Sequence, residues 1–532
     1  MANYRRPGIF VDETLTPILV NDAPAGDFVS CFVGEHTYGP STPTLVRNWA
    51  DFVTIFGGFG NSNYLLPFAV HQYFSNGGRA AYVVRGVAKD AKTSQLTLKD
   101  RQTPATPANT DGDKTKAAAL PADTLRLTAK AAGSYGNSIS VSITDSNTGL
   151  GRFNLWIKVG GDSASNVVER FNDITTDPAD SRNVVAVINS PTTGSKFLTA
   201  EYLNQPVWKA DYTPVPVQGA SLAGGDDGAA TPDLVAAAKL LEETGQALNI
   251  NLPGVSDASV LNPIIDWIES YGYGFLVVDA PKLDGNTNTE QAVDKYLALS
   301  PLSNKGTSPA PLRSSSYVAV YGPWISTADP AVAAVGATRL LPPGGAVMGK
   351  FADFDIQYGP HRTPAGPEAS LKAVYAAQYR FIDTQLDALN QAGINIIRQV
   401  PNTGFCVMGG RTVRAGYPDR YIAVRRFLIH VRKILVESTQ FAIFQPNTPD
   451  LWASLSAIVT QRLTEMTQTQ MLKGATPDQA FRVVCDSTNN TAVTVANGEV
   501  HIDIGLALAR PAEFIGVHIG QFEGGSTSTD SL

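Results

Sequence analysis

At 532 residues the chain is too long for a single hydrophobic core, and roughly two to four domains are expected. Its net charge of −7 at pH 7 argues against a general nucleic-acid binder, which would carry a basic field. The 47 glycines and 34 prolines stay below the proportion typical of disordered chains and predict many turns between short strands.

Cysteine usage and the N-terminal sequence exclude further classes of protein. Cys31, Cys406 and Cys485 lie far apart and form no CxxC motif, so they predict neither a disulfide framework nor a zinc site. We expect three buried thiols in a reducing cytosol. The N-terminal sequence lacks the apolar stretch of a signal peptide, and no run of about 18 apolar residues predicts a membrane span.

Residues 1–24 predict an extended N-terminal arm. Pro7, Pro17 and Pro24 punctuate it and disfavour helix at the residue before each of them. Short apolar runs between the prolines can pair as strands but cannot form a core alone. The candidate strand residues of this arm are Ile9, Phe10 and Val11.

Residues 25–98 and 228–395 together predict one α/β domain. Short apolar runs typical of buried strands occur at residues 28–34, 80–86, 274–281 and 317–325. Segments with helical spacing lie between them, and strands that alternate with helices predict a mostly parallel, layered sheet. We therefore expect both stretches to contribute strands to the same sheet.

Residues 99–227 separate these stretches and predict an inserted β domain. The segment 100–120 is polar and poor in aromatic residues, which predicts an exposed, flexible loop. The sequence that follows, with runs such as SISVSI and FNLWIKV, has the short alternating pattern of half-buried strands. The insertion is therefore expected to be all-β.

Residues 396–510 predict an α+β domain, and residues 511–532 a C-terminal arm. Thr448 is a suitable N-cap, Pro449 takes the first helical position, and apolar residues follow at three- and four-residue spacing. Residues 499–506 alternate apolar and polar side chains, as a half-buried strand does.

The same alternation returns in residues 513–522, beyond the last strand of this domain. A β-forming segment in that position is suited to adding a strand to another subunit, although it can also pair within its own chain. The candidate donor residues are Phe514, Ile515, Val517 and Ile519.

No segment predicts a catalytic, cofactor or metal site. Residues 344–350 fit the spacing G-x-x-x-x-G-K, but Phe351 stands where a phosphate loop has Ser or Thr, and two prolines stand where a strand should lead in. Asp353 and Asp355, without His or Cys nearby, are weak evidence for a metal site. The G-x-S-x-G elbow of α/β hydrolases is absent.

Residues 420–433, RYIAVRRFLIHVRK, form the one dense basic segment of the sequence. A nucleic acid is one candidate partner, but no aromatic stacking platform interleaves the charges, and an acidic protein partner is favoured. A solvated helix face is the other open interpretation. The candidate contact residues are Arg425, Arg426, Arg432 and Lys433.

Several segments of the sequence occur in an order and spacing that resemble those of a known protein family. They include RRPGIFVDE near the N-terminus, YFSNGGRAAYVVR, AAGSYGNSISVSI and, most specifically, LLPPGGAVMGKFADFD, RYIAVRRFLIHVRK and FAIFQPNTPDLW in the last third. Together they resemble contractile-tail sheath proteins of bacteriophages, R-type pyocins and related injection particles. Met408, where the family often has Trp, and the segment GPHRTPAG depart from the family pattern.

The resemblance implies an α+β multidomain subunit with a subtilisin-like layered domain that has no catalytic function. The β insertion would face outwards, the C-terminal domain would face a tail tube with its basic residues, and both arms would weave neighbouring copies together. The copies would form stacked rings around the tube and contract by rigid-body rotation, driving the tube through a target cell envelope.

The implied partners are further copies of the chain, a tail tube protein, and baseplate and tail terminator proteins. The implied location is the virion tail, after assembly in the host bacterial cytoplasm. No cofactor, nucleic-acid binding or direct membrane insertion is expected. Two alternatives stay open, which are a cytosolic α/β hydrolase-like enzyme with a β insertion and a different structural virion protein.

Overall fold

The computed structural model describes residues 28–60, 63–101, 122–160, 163, 166–190, 193–203, 212–303, 310–332, 334, 336–416, 420–513, 519–523 and 526–530. The strands in this part of the chain are β1 Val29–Gly34, β2 Thr44–Val46, β3 Ala81–Arg85, β4 Thr93–Lys99, β5 Asp123–Ala132, β6 Ile139–Asp145, β7 Arg152–Val159, β8 Val167–Thr175, β9 Leu198–Tyr202, β10 Val217–Ser221, β11 Leu248–Asn251, β12 Gly274–Asp279, β13 Val318–Gly322, β14 Ile325–Ala328, β15 Thr338–Leu341, β16 Val374–Ala377, β17 Ile394–Val400, β18 Gly404–Met408, β19 Phe481–Val484, β20 Asp503–Leu506, β21 Ile519–Glu523 and β22 Ser526–Asp530. The α-helices are α1 Trp49–Phe56, α2 Leu66–Ser75, α3 Val184–Ile188, α4 Leu234–Lys239, α5 Ala258–Tyr271, α6 Thr289–Leu299, α7 Gly344–Gln357, α8 Asp383–Gln391, α9 Ile422–Thr439, α10 Pro449–Gln468, α11 Pro477–Ala480 and α12 Ala492–Ala496.

An eight-stranded sheet forms the centre of the molecule, in the order β18-β17-β13-β12-β11-β1-β3-β2. The six inner strands are parallel, and β18 and β2 join the two edges antiparallel. β1 pairs with β3 on one side and with β11 on the other, so the two stretches predicted to share a sheet do so. This is the strand order of a doubly wound sheet that reverses direction between β1 and β11. The description of this layer as subtilisin-like stays a prediction.

Helices cover both faces of the central sheet, because its inner strands are apolar on both sides. One face carries α4, α5, α6 and α8, whose buried residues form one core with alternate strand residues. The other face carries α1, α2, α7 and the first half of α9 around a second core. A small antiparallel sheet, in the order β15-β14-β16, lies beside this layer.

The inserted domain is a β-sandwich with its own core. A four-stranded sheet, β10-β6-β7-β8, faces a three-stranded sheet, β4-β5-β9, and the buried residues between them all come from the insertion. The insertion is predominantly β, as predicted, but it also contains the short helix α3, whose Val184 and Ile188 join the core. The insertion begins earlier than the predicted residue 99, because β4 already pairs with β5 and residues 92 and 226 bridge at its base.

The predicted boundary at residue 396 is also wrong, because it cuts through β17. β17 pairs in parallel with β13, and β18 follows as the antiparallel edge strand, so the central sheet continues to Met408. The sequence pattern of β17 and β18 shows that they are strands but not which sheet they join. They were therefore assigned to the C-terminal α+β unit.

The C-terminal part contains α9, α10 and a two-stranded antiparallel sheet of β19 and β20, which we call the edge sheet. α10 begins at Pro449 as predicted and ends at Gln468. Residues of α9, α10 and the segment before β19 form the C-terminal core, namely Phe427, Val431, Val459, Leu463, Met466, Leu472 and Ala480. Half-buried residues of the edge sheet pack against this core.

Candidate assembly interface in the C-terminal region

α9 belongs to two cores at once. Ile422 and Ile429, seven residues apart and therefore on one side of the helix, pack in the core beneath the central sheet. Phe427 and Val431, four residues apart on another side, pack in the C-terminal core. The basic segment predicted from the sequence thus lies on a helix that joins the body to the C-terminal part.

Arg426 is the one basic residue of this helix that is completely buried. Its guanidinium pairs with the Asp355 carboxylate, donates from Nε to Asn249 Oδ1 at 3.2 Å, and lies over the rings of Phe28 and Phe351 at 4.5 and 4.7 Å. The prediction that Arg426 faces a partner is therefore wrong, because its charge is neutralised inside the molecule. Asp355 is occupied in the same way, which excludes the suggested metal site with Asp353.

The other three basic residues lie along the amino ends of the parallel strands. The Arg425 guanidinium stacks on Tyr317, just before β13, with 4.5 Å to the ring centre. Arg432 stacks on Tyr273, just before β12, at 4.8 Å. Lys433 Nζ donates to Gln246 Oε1, before β11, at 3.1 Å. Arg432 is exposed and the other two are half-buried, so their role towards a partner stays a prediction.

The edge sheet has two open sides in the part of the chain that the structure describes, because it contains two strands only. Phe481 pairs with Leu506 and Val483 with Ile504, and these four side chains form the face that packs on the C-terminal core. The predicted half-buried strand within residues 499–506 is confirmed as β20. A strand whose outer backbone groups are unpaired is a template for adding another strand.

Most of the predicted arm residues lie outside the described residues. These are Ile9, Phe10, Val11, Phe514, Ile515 and Val517. Ile519 is described and lies in β21, which pairs antiparallel with β22 of the same chain, opposite Asp530. Its pairing with another copy therefore stays a prediction, and the hairpin shows that this segment forms strands.

The C-terminal arm leaves the body at a fixed point. Glu513, the third residue of the arm, accepts from Arg411 Nε at 3.0 and 3.1 Å through its two carboxylate oxygens. Arg411 is 6% exposed and also donates from Nη1 to the Asn390 carbonyl, at the end of α8, at 3.1 Å. This anchor was missed in the sequence analysis, because Arg411 and Glu513 are 102 residues apart and neither carries a local signal.

A groove of about 740 Å³ borders this anchor. Residues 509–513 form one wall, and residues of α8, β17 and residues 361–366 form the others. Apolar and charged side chains both line it, including Leu386, Ile396 and Arg398.

The phosphate-loop spacing is not realised as a loop. Residues 344–350 form the first turns of α7, and Lys350 Nζ bonds the Asp353 carboxylate at 3.2 Å within the same helix. Among the described residues no group of three or more His, Cys, Asp or Glu side chains could hold a metal ion. None of the described helices combines the length and the apolar character needed to cross a membrane.

Comparison with known proteins gives one curated relative and several solved structures. No model of a known protein family matches the sequence. The tail sheath protein of Vibrio phage KVP40 is 29% identical over 196 residues, which is 36% of this chain and 27% of that protein. The chain thus matches about a quarter of the length of this curated relative.

Two cryo-EM structures contain chains of similar fold. A chain of the anti-feeding prophage baseplate is 17% identical, with a TM-score of 0.54 over 98% of this chain and 100% of that one. The sheath complex of the PVC extracellular contractile injection system, in its contracted state, is 18% identical, with a TM-score of 0.53 over 98% and 99% of the two chains. The chain accordingly has the mixed α+β, multidomain fold of contractile sheath proteins and is similar in sequence to a phage tail sheath protein.

Proposed function

We propose that the chain is the structural subunit of a contractile tail sheath. Copies assemble as stacked rings around a tail tube, and contraction drives the tube through the envelope of a target cell. The observation that carries the proposal is the extent of the fold similarity, which covers 98% of this chain and 99% of a sheath chain in the PVC complex. Similarity to a phage tail sheath protein adds to it.

The edge sheet supports a specific mode of assembly. Strands donated by the N-terminal and C-terminal arms of neighbouring copies add to the open sides of β19 and β20. An added strand of about five residues makes about five backbone hydrogen bonds, each contributing roughly 1 kcal/mol net. A single contact is therefore weak, but every copy makes it, and a lattice linked in this way stays joined while the bodies rotate.

Further partners follow from the same proposal. The tube protein lies inside the sleeve, with the C-terminal part turned towards it, and Arg425, Arg432 and Lys433 remain candidate contacts. Of these, Arg432 has the most exposed charge. Baseplate and tail terminator proteins bind the ends of the sleeve. The particle is a virion tail or a related injection device, assembled in the bacterial cytoplasm.

An enzymatic function is not favoured. The comparisons identify proteins of sheaths and baseplates, and the hydrolase-like alternative has no comparable support. Two sequence features suggested a nucleotide or a metal site. Of these, residues 344–350 form a helix and not a phosphate loop, and Asp355 pairs with Arg426. Both features have structural roles that do not need a ligand.

The experiment is to examine the purified protein by negative-stain electron microscopy together with two variants in the C-terminal arm. Val517→Pro removes a backbone donor and prevents ladder pairing, whereas Val517→Thr keeps the donor and a β-forming side chain. We expect striated tubes for the parent and Val517→Thr, and a folded monomer by circular dichroism and sedimentation for Val517→Pro. Normal tubes from Val517→Pro would contradict strand exchange, and uniform small particles from the parent would contradict the sheath function.

A further inference from the structure

An exposed apolar surface lies between α9 and α10. Phe441 is 46% exposed, Ile443 is 65% exposed and Phe444 is completely exposed, and we call these three residues the apolar loop. Large apolar side chains are often exposed singly, but three within four residues form a patch that water solvates poorly. The fold and the strand exchange described above give this patch no role.

The apolar loop is held in place from below. Asn447 accepts from Trp452 Nε1 at 2.7 Å and donates from Nδ2 to the Glu499 carbonyl at 2.9 Å. Two tight turns close the segment, with Ile443 N bonding the Gln440 carbonyl at 3.3 Å and Gln445 N bonding the Ala442 carbonyl at 3.1 Å. A surface fixed in this way loses little conformational entropy when it binds.

Phe444 also has an unfavourable backbone conformation. Its φ is +65°, in the left-handed region that bulky residues rarely adopt and that costs on the order of 1–2 kcal/mol. In return the ring points into solvent, where it makes no contribution to the stability of the monomer. Strain that displays an aromatic ring is expected where the ring contacts something else.

The charge around the apolar loop indicates the partner. None of the twelve residues 438–449 is charged, although the whole chain carries a net charge of −7. Two copies of an acidic chain repel each other through most of their surface, so a neutral apolar segment is where they can approach closely. Glu437 and Asp450, which flank this segment, are both exposed, so charge is absent only within it.

The apolar loop is also continuous with the edge sheet. Ala442, in the middle of the loop, packs against a cluster of Leu451, Trp452, Leu455 and Cys485. Ile502, directly before β20, packs against the same cluster. A copy whose arm lies along β20 is therefore brought next to the apolar loop.

We propose that the apolar loop is a docking site for a second copy of this chain. The inference rests on the proposed polymer and adds a side-chain contact to its backbone pairing. The loop supplies the desolvated apolar centre that strand exchange lacks, and Phe444 is the main anchor.

The test uses the full-length protein and a double variant, Ile443→Ser/Phe444→Ser, which removes two exposed side chains and leaves Ala442 and Asn447 in place. Leu150→Ser is the matched control, since Leu150 is 96% exposed on the insertion, away from this loop. We expect both variants to keep the melting temperature of the parent. Tubes should form from Leu150→Ser as from the parent, whereas the double variant should need at least tenfold more protein or remain monomeric in sedimentation.

A second measurement places the photo-cross-linking residue benzoyl-phenylalanine at position 444. Irradiation should join one chain to another, and the product should disappear in the Val517→Pro background. Tubes from the double variant at the parent's concentration, or no chain-to-chain product, would overturn the docking proposal. If the parent forms only small oligomers that depend on the apolar loop, the sheath function fails while the docking proposal stands.

Discussion

Arg426 and Asp355 form a charged pair in the interior of the molecule, with side chains that are 0% and 2% exposed. Removing two charges from water is costly, and the cost is offset here by mutual attraction, the bond to Asn249 and the two aromatic rings. The pair connects α9 with α7. A buried arginine of this kind is sensitive to the loss of its partner.

We predict that Asp355→Ala lowers the free energy of unfolding by about 3–5 kcal/mol, because it leaves the guanidinium buried without a counter-charge. Asp353→Ala on the same helix is the control, with an expected loss of about 1 kcal/mol, since its carboxylate is 29% exposed. Urea unfolding followed by circular dichroism measures both. The double variant Asp355→Leu/Arg426→Met should recover part of the loss. Equal midpoints for the two single variants would contradict this account.

His36 is buried and stacks on Phe52, with 5.9 Å between the ring centres. Burial lowers the pKa of His36 from 6.5 to about 4. Between these values the unfolded chain binds a proton that the folded chain does not, so His36 costs stability as the pH falls from 6.5 to 4. Burial also raises the pKa of Asp279 to about 6, which acts in the opposite direction over part of this range.

We therefore predict that His36→Phe, which keeps a stacked ring and removes the titration, changes the pH dependence of stability. The free energy of unfolding of the variant, relative to that of the parent, should rise by on the order of 3 kcal/mol from pH 7 to pH 4. Thermal unfolding at several pH values measures the difference, in which the contribution of Asp279 cancels. Parallel curves for the two proteins would show that His36 does not titrate differently on folding.

The roles of the basic side chains of α9 were only partly predictable from the sequence. The basic character of α9 was evident from its composition, but the pattern could not distinguish Arg426 from Arg425. Both lie among apolar residues, and the difference is made by Asp355, which is 71 residues away in sequence. Burial of a charge depends on such distant partners, whereas a helical pattern reports only which side of the helix is apolar.

At the scale of elements, α7 lies directly on the backbone of α2. A Cβ atom at Gly345 would come within 2.3 Å of the Ala69 carbonyl oxygen, and one at Gly349 within 2.6 Å of the Tyr73 carbonyl oxygen. The two glycines are four residues apart and share one side of the helix. The close contact with α2 therefore explains why Gly345 and Gly349 of the GGAVMGK segment are glycines.

We predict that Gly345→Ala destabilises the protein by about 1–3 kcal/mol, although helix propensity alone would favour alanine by about 1 kcal/mol. Backbone atoms of α2 cannot yield as a flexible side chain would. Gly58→Ala serves as the control, because a Cβ atom there meets nothing within 4 Å. Differential scanning calorimetry compares the two, and a stabilised Gly345→Ala would refute the close contact.

Four of the eight strands of the central sheet, β1, β3, β12 and β13, were predictable from short apolar runs, since parallel strands buried on both faces show continuous apolar sequence. The β-sandwich was predictable from its alternation. The errors occurred at β4 and β17, where a strand joins a sheet on the other side of a predicted boundary. Partner choice is set by contacts distant in sequence, and local patterns do not report it.

At the scale of the molecule, the insertion is attached at one narrow base. Lys92 and Asp226 exchange backbone hydrogen bonds of 2.8 and 3.2 Å, so the two ends of the insertion meet there. Its buried core contains no residue from the central body. Such an arrangement is typical of a domain that folds independently.

We predict that replacing residues 93–225 by a short Gly/Ser linker leaves a folded body. Far-UV circular dichroism should lose the β signal of the sandwich while helical signal and cooperative unfolding remain. The matched control replaces only residues 102–121 by the same linker, which should leave the sandwich intact. An insoluble body from the first replacement, with a soluble control, would show that the insertion contributes to the main core.

The assembly surfaces could be predicted only in part. The strand-forming character of β20 and of the segment that contains β21 was evident from alternation, but a single sequence does not specify which strands they pair with. The Arg411–Glu513 anchor emerged from the structure because its residues are 102 apart in sequence, and the apolar loop because the sequence does not show that Phe441, Ile443 and Phe444 are exposed.

α9 runs as one uninterrupted helix from the core of the body into the C-terminal core, without a linker between them. Twisting one part against the other would expose apolar surface on both sides of this helix, so each subunit should turn as a single piece. In the proposed sheath, torque that enters a ring would then meet no soft joint between these two parts of the subunit. It would pass through the body to the arms, and in such a sleeve a wave of rotation started at one end should reach the other.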